Sequence, residues 1–166
     1  MTVANSALTR IWRLARPVQW RPLWWTHATF LCGVTGVVRA RDGRVLLVKH
    51  RLWPAGRQWG FPGGYAKKGE RHEDTIVREV REETGLSVTA GRLLEVRSGF
   101  RYRIEVYYEA VLDETVPDET VRDETVGDGR LGGLALDERE ILDARLFDVG
   151  DLPPDMQPVH RRLAAG

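Results

Sequence analysis

No aspartate or glutamate precedes Asp42, although Arg10, Arg13, Arg16, Arg21, Arg39 and Arg41 do. The net charge of +1 therefore conceals an uneven distribution, and the molecule as a whole is not a polyanion binder. No specific nucleic-acid partner is expected. Cysteine occurs once, as Cys32 inside the apolar run ATFLCGVTGVV. One thiol excludes an intrachain disulfide, which points to a reducing, cytoplasmic compartment, and an apolar-flanked cysteine is expected in a core. Long hydrophobic runs are also missing. The longest is about eleven residues, against the roughly 20 that a spanning helix needs. No signal-peptide layout follows it, and the arginine-rich start is too poor in serine for a transit peptide.

With 42% hydrophobic and 30% charged residues, the 166-residue chain fits one soluble domain with a real core. Two stretches stand outside it. Residues 1–27 form a Trp/Arg-rich extension in which Leu8, Ile11, Trp12 and Ala15 follow amphipathic helix spacing, before Pro17 interrupts. Its tryptophans are expected to pack on the domain or on a second subunit of a homodimer. The competing reading is contact with an anionic membrane surface, which Trp plus Arg suits. At about 113–133, D-E-T-V-x occurs three times at a period of five, matching neither helix nor strand. It lacks the spacing of a calcium loop and reads as a solvated insertion without chemistry.

Between them the pattern is α/β. Residues 28–38 and 45–51 read as strands joined at the hairpin signal Asp42-Gly43. A loop with Pro54, Gly56, Pro62, Gly63 and Gly64 leads to a helix from about Glu73 to Thr84, which Gly85 terminates. RLLEVR, RIEVYYEAVL and ARLFDV read as strands. In the second, Ile104, Val106, Tyr108 and Ala110 share one face, and Glu105, Tyr107 and Glu109 the other. PVHRRLAA reads as a final short helix within a tail at 154–166.

The helix carries REVREETGL, with Glu79, Glu82 and Glu83 on one face. Like charges three and four residues apart destabilise a helix by roughly 0.2–0.5 kcal/mol per pair. No lysine ladder offsets them, and Arg78 leaves excess negative charge. A hard divalent cation, Mg²⁺ or Mn²⁺, relieves the repulsion, and Mg²⁺ commonly shares its shell with substrate phosphates.

From Gly64 the chain reads GYAKKGERHEDTIVREVREETGL: Gly, five residues, Glu70, seven residues, Arg78-Glu79-Val80, one residue, Glu82-Glu83, one residue, Gly85-Leu86. This resembles the Nudix box at every defining position, and WGFPGG ahead of it resembles the usual approach. The resemblance, extended over 28–153, implies an α/β/α sandwich around a mixed β-sheet. It also implies metal-dependent hydrolysis of a small-molecule nucleotide, a nucleoside diphosphate linked to another moiety. Carried over by position, Glu79, Glu82 and Glu83 would be metal ligands, Glu70 would support the metal shell, and the Gly63 carbonyl would be a backbone ligand. Arg78 would hold a glutamate in place. The family places its general base variably; Glu138 and Glu140, before a late strand, are candidates alongside the box glutamates. Lys49 and Arg51 are candidates for substrate phosphates, and Tyr102 for another substrate contact. His50 is expected to be structural or exposed. Arg71 weakens the N-cap relative to the usual small polar residue. No proline lies between Ser87 and Val116, where the ADP-ribose type tends to carry one. The alternatives are a Nudix-like binding or regulatory domain without turnover, or a membrane-surface Nudix enzyme.

Overall fold

The computed structural model describes residues 29–100, 102–113 and 134–166. The helix expected in 1–27, any membrane or second-subunit contact through it, and the DETV repeat lie outside these residues.

A seven-stranded mixed sheet organises the body. β1 (Leu31–Arg39) runs parallel to β6 (Arg103–Leu112) along its whole length. Because β6 covers one edge of β1, β2 (Val45–His50) and β4 (Gly63–Tyr65) share the other. The Asp42-Gly43 turn forms, with Gly43 at φ 88° and the Asp42 carboxylate accepting the Arg44 N–H at 3.0 Å. The expected hairpin ladder, however, is confined to Arg39 opposite Val45. β4 takes the rest of that edge, and β2 pairs with β3 (Trp59–Gly60) and β7 (Ile141–Phe147). β5 (Val88–Phe100) is the outer strand beside β6.

Strand alternation puts successive side chains on opposite faces. Val34 and Val38 of β1 and Leu46 of β2 pack with Ile76 and Val80 of helix α1 (His72–Thr84). Val37, Val45 and Leu47 point the other way, to Trp59, Phe61, Met156 and Ala164 of helix α2 (Pro158–Ala164). Two helices on opposite faces make the α/β/α sandwich. Each fully buried aliphatic side chain contributes roughly 1.5–3 kcal/mol. A Cβ on Gly36 would lie 2.7 Å from Ile76 Cγ2, so this glycine sets how closely α1 approaches the sheet.

Tyr107 departs from simple alternation. It lies on the charged side of β6 yet is buried, because His160 of α2 packs edge-on at 5.8 Å. Its hydroxyl donates to Glu105 at 2.9 Å. His160 Nδ1 accepts the Phe61 N–H at 2.9 Å, and His50 is buried against Trp53 with centroids 3.8 Å apart. Burial pushes the two imidazoles down, His50 to about 4 and His160 to about 3. Arg39 closes the body by donating to the Ala164 carbonyl at 3.0 Å, at the end of α2. Among the described residues no helix is long and apolar enough to cross a membrane.

Candidate active site

Helix α1 begins without a side-chain cap, since Arg71 stands at the N-cap. Glu70 takes over that work. Its Oε2 accepts the Lys67 N–H at 2.8 Å and the Thr75 hydroxyl at 3.0 Å. Arg78 then donates to Oε1 at 2.7 Å and to Oε2 at 3.0 Å. The Arg78 guanidinium, before all else, holds the Glu70 carboxyl down at about 2. Gly69 at φ 81° permits the turn, and Gly85 at φ 77° ends the helix by donating to the Arg81 carbonyl.

Arg78 ties the box together. Besides Glu70, its Nη1 donates to Glu79 at 2.6 Å and to Glu82 at 3.1 Å, and its Nη2 to the Tyr65 carbonyl at 3.2 Å. Glu82 also lies 3.8 Å from the Lys67 ammonium. The Glu79 carboxylate rests directly on the Gly64 α-carbon. A Cβ there would lie 2.3 Å from Glu79 Oε1, so any side chain at 64 would displace it.

Glu83 is deeper, only 4% exposed, and accepts the Gly63 N–H at 3.2 Å. Burial pushes its carboxyl up to about 9, aided by Glu79, Glu140 and Asp137 and opposed by the Gly63 N–H. Glu79 is raised as well, by burial first, with Arg78 opposing and Glu82 and Glu140 adding. The charge of Glu140 thus bears on both Glu79 and Glu83.

The turn at 138–140 reaches this group through the backbone. Arg51 donates its N–H to the Glu140 carbonyl at 2.7 Å, and its guanidinium to the Glu138 carbonyl at 3.1 and 2.8 Å. The Asp137 N–H meets the Glu83 carbonyl at 3.4 Å. Of the two candidate bases, Glu140 is the one whose charge bears on both Glu79 and Glu83; Glu138 contributes the carbonyl that Arg51 holds. Asp137 escapes the sequence reading. Its signal is the i, i+2 pairing with Arg139, which grips it at 2.9 and 2.7 Å and holds it down at about 2.

Lys49 is placed elsewhere. It follows Val45 and Leu47 onto the α2 side, 6.0 Å from the Trp59 ring centroid, beside a depression of about 390 Å³ that Asp143 and Arg145 also line. Tyr102 stands in the β5–β6 turn at φ 57°, its carbonyl accepting the Leu31 N–H at 2.8 Å.

The donor set suits a hard divalent ion: carboxylate oxygens, an excess of negative charge, and a glycine floor. Among the described residues, though, no three acidic, imidazole or thiol side chains stand close enough to cage an ion in this arrangement. Glu79 and Glu82 are instead both engaged by Arg78.

The NUDIX domain family model matches residues 30–165. The chain belongs to the Nudix family. Its Nudix body is 40% identical over 75 residues to mouse nucleoside diphosphate-linked moiety X motif 6, covering 45% of this chain and 24% of that protein. It is 38% identical over 65 residues to an ADP-ribose pyrophosphatase of Methanocaldococcus jannaschii, covering 39% of this chain and 38% of that one. These matches therefore span well under half the length of either relative. Among solved structures, a MutT NUDIX hydrolase from Burkholderia pseudomallei superposes with a TM-score of 0.58 at 25% identity, covering 81% of this chain and 95% of that chain. A NUDIX hydrolase from Nitrosomonas europaea gives 0.61 at 22% identity, covering 82% and 68%, and that likeness speaks for the fold alone. Nudix hydrolases generally use divalent metal ions, as the carboxylate helix leads one to expect.

Proposed function

We propose that this Nudix domain hydrolyses a pyrophosphate bridge in a nucleoside diphosphate linked to another moiety, by attack of water on phosphorus. The observation that carries the reading is the placement of two box carboxylates on adjacent bare backbone positions, Glu83 on the Gly63 N–H and Glu79 against Gly64. The names of the two relatives, one for diphosphate-linked nucleosides and one for ADP-ribose, support the substrate class.

Glu79, Glu82 and Glu83 would hold Mg²⁺ or Mn²⁺. When bound, such an ion offsets charge on the phosphates and lowers the pKa of a water. Glu70 has both oxygens engaged, so it serves by anchoring Arg78 while Arg78 yields Glu79 and Glu82. The Gly63 N–H keeps Glu83 aimed inward. Glu140, held by Arg51 through the backbone, accepts the proton of the attacking water.

A second reading, a nucleotide-binding domain without turnover, draws on the direct engagement of Glu79 and Glu82 by Arg78. A panel of nucleoside diphosphate derivatives with Mg²⁺ or Mn²⁺ separates the two. Hydrolysis of at least one compound is expected, with a loss on the order of a hundredfold in both Glu82→Gln and Glu83→Gln. Undiminished turnover in these variants would refute the metal assignment. Tight nucleotide binding with no turnover would favour the second reading.

A further inference from the structure

On β4, Gly64 and Tyr65 point to opposite faces of the sheet. Gly64 receives the Glu79 carboxylate, and Tyr65 pairs with Gly33 on the other face. Gly33 in turn pairs with Glu105 of β6, two positions from Arg103. Arg103, Gly33 and Tyr65 therefore share that face. The Arg103 guanidinium lies over the Tyr65 ring, 5.3 Å from its centroid. It also lies across Gly33, where a Cβ would sit 3.6 Å from Nε and Nη2. The Arg103 Nε is buried and 3.5 Å from Glu105 Oε1, without a hydrogen bond. Tyr65 remains 47% exposed, and the Arg103 side chain 41%. A planar cation on an aromatic ring, with open surface on both, is a shelf for a third planar group.

Its position matters more than its composition. The shelf starts one residue from the glycine under Glu79, and the Tyr65 carbonyl is held by the same arginine that holds Glu70, Glu79 and Glu82. β4 pairs only with β1 among the described strands, so the carboxylates on one face and this pair on the other adjoin across the open edge of β4, the route a nucleotide joining them would take.

We propose that Tyr65 and Arg103 form the nucleobase subsite, stacking the aromatic ring of the nucleotide against their exposed side. The inference rests on the nucleotide reading above and adds to it which residues take the base. Stacking tolerates any base, because every base has a π-face. The shelf therefore supplies affinity for nucleosides as a class, and discrimination among bases falls to groups at its rim.

Titration calorimetry with ADP, UDP and inorganic pyrophosphate in Mg²⁺ tests this on the full chain. ADP and UDP affinity is expected to fall about tenfold in Tyr65→Leu and Arg103→Ala. Tyr65→Phe, which keeps the ring, should stay within about twofold of wild type, and pyrophosphate should bind all four proteins alike. Unchanged nucleoside diphosphate affinity in Tyr65→Leu, or an equal loss for pyrophosphate, would overturn the subsite. Tyr65 and Arg103 are partly exposed, and thermal melts establish that the variants are folded. Failure of the hydrolytic reading would show separately, as base-dependent binding without turnover.

Discussion

Glu83 holds a carboxyl in a place that disfavours its charge, and the consequence is measurable without substrate. Its ordinary value of 4.5 rises to about 9 in the folded chain. At pH 7 the unfolded chain has released this proton and the folded chain must retain it. At about 1.4 kcal/mol per pH unit, the gap between 4.5 and 7 destabilises the fold by roughly 3 kcal/mol in the absence of divalent ions. The sign follows from proton uptake: stability is complete below pH 4.5 and is lost as pH rises toward 9. Glu83→Gln keeps the shape and an oxygen for the Gly63 N–H while removing the titration. In EDTA the variant should melt about 10–20 °C higher than wild type at pH 8, where the gap has grown to about 5 kcal/mol, and lose that advantage at pH 4.5. Added Mg²⁺ should stabilise wild type at pH 8 and leave the variant unmoved. Thermal unfolding at both pH values, with and without the ion, reads all of this. A variant less stable than wild type at pH 8, or a difference independent of pH, would refute the placement of Glu83 as a buried, repelled carboxylate.

Other perturbations probe other parts. Glu140→Gln should reduce kcat at least tenfold, while Glu138→Gln should leave it within about twofold, because only the Glu138 carbonyl is used; steady-state kinetics decides. Gly36→Ala drives a methyl against Ile76 Cγ2 and should lower stability by about 1–3 kcal/mol in denaturant titration. Adding Ile76→Leu, which removes that methyl, should recover part of the loss. His160 and His50 impose the opposite pH trend to Glu83. Their folded values of about 3 and about 4 lie below the ordinary 6.5, so the unfolded state takes up protons first. Stability should therefore decline below pH 6.5, by up to about 1.4 kcal/mol per pH unit for each ring. The denaturant midpoint of His160→Gln should be lower at pH 7 but change less toward pH 4.

The carboxylate helix was legible because its information is local. Spacing along 23 residues sets which glutamates share a face, and Gly85 marks the stop whatever the surroundings. The sandwich was legible only through the family resemblance that the box carries; the unbroken run Val45 to Val48 in β2 does not by itself say what covers either face. What escaped depends on contacts between distant residues. Arg51 reads as a phosphate ligand until a carbonyl 87 residues away is seen to occupy it. Glu138 and Glu140 are equivalent in sequence and separate only where folding brings the Glu140 charge to bear on Glu79 and Glu83. Lys49 looks available to phosphate because it ends a strand near the box, but its parity sends it to the α2 face. Tyr107 reads as half-exposed until α2 folds over it. Arg103 gave no signal at all, since its partner Tyr65 meets it only through Gly33 on the strand between.

Cys32, expected in the core from its apolar neighbours, stands only half-buried at the margin of the α1-side cluster, and it is the sole thiol of the chain. Its Sγ lies 3.4 Å from His72 Nε2, at the first residue of the carboxylate helix. Burial raises the thiol pKa and slows its chemistry in the closed state. This chain thus carries a single attachment point for a fluorophore or a fluorinated probe, seated at the start of the helix that bears the box. Its alkylation rate becomes a stopwatch for how often that end of the helix lifts from the sheet, with no residue replaced to make the measurement.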